Sequence, residues 1–132
     1  MRRAVAGLLL LAACAPAVPE PEVPEGNWLL PGTAWKLVEL DGEPYPARAE
    51  ATLTEDGRIA GQAPCNRFTA DYVGRWPDLS FRLGPVTRMA CPDLPAETAF
   101  FAALDKVNHA ALDADGLLLT GPGDVSLRFA RE

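Results

Sequence analysis

Between Thr33 and Phe129 the chain is cut into short runs of alternating apolar residues, each stopped by a turn signal, and this rhythm leaves little choice except a small antiparallel sheet. Residues 33–40 (TAWKLVEL) alternate at Trp35 and Leu37 and stop at Asp41-Gly42, which predicts a first strand and a turn. Two prolines make residues 43–49 (EPYPARA) a loop. Residues 51–54 and 58–62 flank Glu55-Asp56-Gly57 and read as a hairpin. Phe68 and Tyr72 share a parity within 65–73, Leu79 and Phe81 within 78–82, and two strands close the chain at 117–120 and 125–129. In the last, Val125, Leu127 and Phe129 alternate with Ser126 and Arg128, the pattern of a sheet with one buried face.

The period changes once. Over 95–107 (PAETAFFAALDKV) the apolar residues fall at 100, 101, 104 and 107, one stripe of a helix. Pro95 suits the first turn, and Glu97 complements the positive end of the helix dipole. The fold class is therefore α+β and mostly β: a small antiparallel curled sheet or partly open barrel, with one helix (about 95–107) packed against it. A chain of 132 residues with 48% hydrophobic content supports one such core and not two.

The N-terminal part has another logic. Residues 1–13 place two arginines before an apolar run too short to span a bilayer, the layout of an export signal peptide. Leu11-Ala12-Ala13-Cys14 resembles the bacterial lipobox, so Cys14 is the expected lipidation site and the membrane, reached through that lipid, the expected partner. Several acyl chains on one cysteine suffice for stable anchoring, where one is marginal. Residues 14–27, rich in Pro and Glu, read as an extended tether that would lift the domain roughly 35 Å from the membrane. The globular domain is expected over 28–132. Ala15 directly after Cys14 resembles the sorting of Gram-negative lipoproteins to the outer membrane, so the expected place is the cell envelope, on the periplasmic face of the outer membrane if the host is Gram-negative.

Charge narrows the partners. The formal charge is −6, and removal of residues 1–13 leaves 10 basic against 18 acidic side chains, a net −8. With no cluster of Lys and Arg to neutralise phosphates, nucleic acid is not expected. An envelope protein or a hydrophobic small molecule remains open as partner.

Cys65 and Cys91 have four readings. As members of neighbouring strands in an oxidising compartment they form a disulfide, and closing the intervening loop would contribute roughly 3.5 kcal/mol. Buried free thiols come next. A zinc site lacks its ligands, and a thiol nucleophile would need His109, which lies at the end of the helix. Asn66 and Arg88, beside the cysteines, are candidates for polar support of the disulfide. Trp35 is expected in the core, with Trp28 and Trp76 in surface loops. Scattered carboxylates and serines without flanking glycines supply no catalytic residues, and no cofactor or metal is implied.

Jointly, Gly61, Cys65-Asn66-Arg67-Phe68-Thr69, then Thr87-Arg88-Met89-Ala90-Cys91, Glu97, the run 101–104, and the closing Leu117-x-Leu119 and Leu127-x-Phe129 resemble a META domain, as in the HslJ-like bacterial lipoproteins. The likeness runs from about Trp35 to Phe129. One departure is Pro64, where the family usually has Gly before the first cysteine, so the turn into the following strand must differ. The resemblance implies a β-rich domain with one helix, an envelope location, and links to heat shock and novobiocin tolerance. It implies no catalytic residues. The expected function is that of a non-enzymatic envelope lipoprotein, in envelope stress or tolerance of hydrophobic antibiotics. The alternative is a pilot-like lipoprotein that assists assembly of a secretion system, or binds a peptide or lipid in a hydrophobic groove. Any functional surface is expected on the open side of the sheet near the helix.

Overall fold

A computed structural model describes residues 14–16 and 32–132. The signal-peptide segment, most of the tether and Trp28 lie outside the described residues. Among the described residues nine strands and one helix follow in order: β1 Ala34–Leu40, β2 Glu43–Pro44, β3 Glu50–Leu53, β4 Ile59–Gln62, β5 Arg67–Arg75, β6 Asp78–Val86, α1 Leu94–Lys106, β7 His109–Asp113, β8 Gly116–Gly121 and β9 Val125–Arg131.

All pairings are antiparallel, in the order β6-β5-β4-β3-β1-β9-β8-β7, with β2 a short ribbon on β1. The sheet curls until its ends approach. The Ala110 N–H of β7 donates to the Pro77 carbonyl, at the start of β6, at 2.8 Å, so the two edge strands meet at one corner. Such curling hides edges that would otherwise invite pairing with another chain. α1 lies over the inner face, against β6, β8 and β9, and fills the half-barrel.

The register follows the alternation in the sequence. Trp35 and Leu37 of β1, Phe68 and Ala70 of β5, Leu79 of β6, Leu117 and Leu119 of β8, and Val125, Leu127 and Phe129 of β9 all point inward and are buried. The helix contributes Phe100, Ala103 and Leu104 to the same cluster, and Val107 follows it. Burying a side chain such as Phe100, 1% exposed, contributes about 1.5–3 kcal/mol. Asp41 and Gly42 both have positive φ, 53° and 82°, which sets the two-residue turn that returns β1 into β2.

Four expectations need correction. The cysteine stretches are not facing strands: residues 63–66 form a bend before β5, and residues 87–91 are irregular chain between β6 and α1. Residues 43–49 are not all loop, because Glu43 and Pro44 pair with Leu40 and Glu39; β2 is an edge, where proline's missing N–H costs no ladder bond. Trp76 is half-buried against the core at the β5–β6 turn. His109 does not end a helix but opens β7, where Ala-Ala-Leu would suit a helix alone and pairing with β8 makes them a strand.

Candidate functional site

The two cysteines meet at the corner where β4 turns into β5 and β6 leads to α1. Cys65 and Cys91 form a disulfide with 5.6 Å between Cα atoms. Among the four readings this decides for the first, though the bridge joins loop to loop. His109 sits at the far end of β6, its Nδ1 3.3 Å from Asp78 Oδ1. Eight residue steps of strand, roughly 26 Å, separate that end from Val86, so no thiol–histidine pair exists.

The disulfide caps a buried polar knot whose centre the sequence marked as a helix-dipole residue and as one position of the family resemblance. Glu97, in the first turn of α1, is 3% exposed. Its Oε2 accepts the backbone N–H groups of both Cys65 and Asn66 at 2.8 Å, and its Oε1 accepts Asn66 Nδ2 at 2.6 Å. Asn66, 4% exposed, has its amide fully used: Nδ2 also donates to the Met89 carbonyl at 3.1 Å, and Oδ1 accepts the Met89 N–H at 2.6 Å and the Thr87 hydroxyl at 3.1 Å. The amide thus pairs with Met89 as a neighbouring strand would, and holds the irregular segment 87–91 in place. Thr87 Oγ1 in turn accepts the Arg67 N–H at 3.0 Å. Pro64 sits in the bend that turns successive N–H groups at 65 and 66 onto one carboxylate oxygen.

Chemically this arrangement is a clamp. A carboxylate that accepts three donors from the 65–66 bend fixes that bend to the first turn of α1. Arg88 is not part of it; the side chain is exposed, and among the described residues it has no hydrogen-bond or ion-pair partner. With Met89, 67% exposed, and Leu94, 41% exposed, it flanks an open groove also lined by Val86, Phe101, Asn66 and Glu97. Cys14 is exposed.

The knot is welded to the core by aromatic contacts. Phe68 meets Phe100 and Phe101 edge-on, with ring centroids 5.6 and 5.4 Å apart. Gly61 is required here: a Cβ on it would fall 2.4 Å from the Phe68 ring and 2.5 Å from the Glu50 carbonyl oxygen. Tyr45 donates its hydroxyl to the Ala96 carbonyl at 2.9 Å. Burial, followed by the charges of Glu97 and Asp93, pushes its phenol up to about 12.

Beneath α1 the half-barrel keeps an apolar cavity of about 70 Å³. Phe68, Phe100 and Leu104 line its depth; Ala51, Ile59, Tyr72 and Phe81, each half-buried, rim its mouth. Among the described residues no group of three or more His, Cys, Asp or Glu side chains could hold a metal ion, and no helix is long and apolar enough to cross a membrane.

The META domain family model matches residues 28–132. The fold is similar to an NMR structure of a protein from Burkholderia xenovorans, with 28% identity over 94% of this chain and 99% of the other and a TM-score of 0.63. It is also similar to the crystal structure of a DUF4847 family protein from Bacteroides vulgatus, with 16% identity over 74% of this chain and 90% of the other and a TM-score of 0.59, a likeness of fold alone. No curated protein matches the chain.

Proposed function

The chain belongs to the META domain family, and on that premise we propose that it acts without catalysis, as a lipid-anchored protein of the bacterial cell envelope. The observation that carries this reading is the Cys65–Cys91 disulfide, a bond that persists in oxidising compartments such as the periplasm and is rare in the cytosol. Behind it stands Cys14, which directly follows Leu11-Ala12-Ala13 and an apolar leader. Cys14 carries the acyl chains, residues 15–26 space the domain from the surface, and the domain faces the periplasm from the outer membrane if the host is Gram-negative. Within that setting we assign it, as an HslJ-like member, a part in envelope stress and in tolerance of hydrophobic antibiotics. The reading without catalysis is supported by how Glu97 and Asn66 are used, since they hold each other, the Thr87 hydroxyl and the backbone of residues 65, 66 and 89.

Cells fed an alkyne-bearing fatty acid test the anchor. Label and membrane association should both follow the wild-type chain and both be lost in Cys14→Ala; a wild-type chain that stays unlabelled overturns the reading. Deletion of the gene should raise sensitivity to hydrophobic antibiotics, and an unchanged sensitivity would remove the assigned role. The pilot-like alternative needs a groove between helix and sheet long enough for a peptide strand; the cavity of about 70 Å³ is too small for one, so the peptide would have to lie in the open groove at Val86, Met89, Leu94 and Phe101.

A further inference from the structure

We propose that the cavity inside the half-barrel is a binding site for the methyl end of a straight alkyl chain. Domain interiors pack with few voids larger than a water molecule, so an apolar space of about 70 Å³ that opens at one end of the sheet is a departure from ordinary packing. Its size selects the occupant. A cavity of about 150 Å³ holds a benzene ring; this one has less than half that volume. The narrow end of an alkyl chain fits such a space.

Its chemistry points the same way. Among the described residues no charged side chain lines it, and its depth is formed by Phe68, Phe100, Leu104, Leu117 and Leu119. Water there would lack the two to four polar partners it needs, whereas a methyl or methylene group gains contacts on every side. The mouth is open, so the remainder of a chain can run out past Ile59, Tyr72 and Phe81 with its polar head in solvent. A straight chain satisfies both limits, narrow at depth and continuous through the mouth, where a ring or a branched side chain satisfies neither. The Gly32 N–H donates to the Leu53 carbonyl at 3.0 Å, beside lining residues Ala51 and Leu53, so the mouth lies near where the chain enters the domain from Cys14. This inference goes beyond the anchoring reading and holds whether or not Cys14 is lipidated.

The test uses the chain from residue 14 with Cys14→Ser, exported so that Cys65–Cys91 forms, and follows methyl NMR signals during titration with 1-octanol and with cyclooctanol. These probes share carbon count and hydroxyl and differ in whether the carbons end in a narrow chain. Saturable shifts at Ile59, Leu117 and Leu119 are expected with 1-octanol, at least fivefold tighter than with cyclooctanol. Ala51→Leu, which fills the mouth from a half-buried inward position, should weaken 1-octanol at least tenfold. Should that variant fail to melt cooperatively, the comparison of the two alcohols on the unsubstituted cavity decides alone. Phosphatidylcholine vesicles identify the source: shifts at the same methyls support a bilayer acyl chain, and shifts with 1-octanol only support a free amphiphile. No saturable shift at these methyls, equal affinity for cyclooctanol, or shifts confined to Met89 and Leu94 would each overturn the proposal.

Discussion

Replacing Glu97 by Gln tests whether the buried carboxylate holds this domain's corner together. The side chain keeps its shape, and its single oxygen can stay on the N–H groups of Cys65 and Asn66, where Oε2 now sits 2.8 Å from both. Its new amide then faces Asn66 Nδ2 at the position where Oε1 accepts a bond of 2.6 Å, so donor meets donor. The opposite flip turns the amide onto two backbone donors and is worse. Losing a hydrogen bond to a charged group costs about 1.5–3 kcal/mol, and leaving its buried donor unpaired adds to that, so about 3 kcal/mol is expected in all. At about 2.1 cal/mol/K of unfolding entropy per residue over roughly 100 residues, the melting midpoint should fall by about 14 °C. Circular dichroism melts of the disulfide-bonded protein measure this, with the exposed helical Asp105→Asn as control. A Glu97→Gln midpoint within about 3 °C of wild type would refute the reasoning, because the carboxylate would then be dispensable where its three bonds say it is not.

Further outcomes follow from other contacts. Cys65→Ser with Cys91→Ser, opening a loop of sequence separation 26, should cost about 3.5 kcal/mol by the chain-entropy relation, read as a midpoint lowered by about 17 °C; an unchanged midpoint would mean the knot alone closes the loop. Gly61→Ala drives a methyl into the Phe68 ring and the Glu50 carbonyl and should destabilise by about 1–3 kcal/mol in urea denaturation, whereas Gly57→Ala, at an open turn, would report only its positive φ. The Tyr45 phenol is raised from 10.0 to about 12 in the folded domain, so the fold favours the neutral form. Its contribution is complete below about pH 10 and is lost as pH rises towards about 12. Tyr45→Phe should flatten that alkaline decline, and an identical decline in the variant would exclude Tyr45 as its source.

The local alternation of apolar residues determined the strands from Trp35 to Phe129, because one face of each run has to leave water whatever its neighbours are. The 3.6-residue stripe and Pro95 determined the helix in the same way, and Asp41-Gly42 determined the turn that follows β1. Where local chemistry was ambiguous the reading failed. Ala110, Ala111 and Leu112 are strand only because β8 offers them partners, and Trp76 is half-buried only because the curl of β5 and β6 brings the core beneath it. The site divided along the same line. Composition and compartment brought Cys65 to Cys91, but nothing local could show that Glu97, 31 residues from Asn66 along the chain, turns inward to receive three donors. Periodicity reports which face of an element is buried, while a hydrogen bond between distant segments exists only once the sheet has curled and the helix has docked. The cavity is more remote still from sequence, since it is a shortfall in packing among residues of seven strands and one helix. Only the tertiary structure decided that volume, because it depends on how closely those elements approach and not on any one of them.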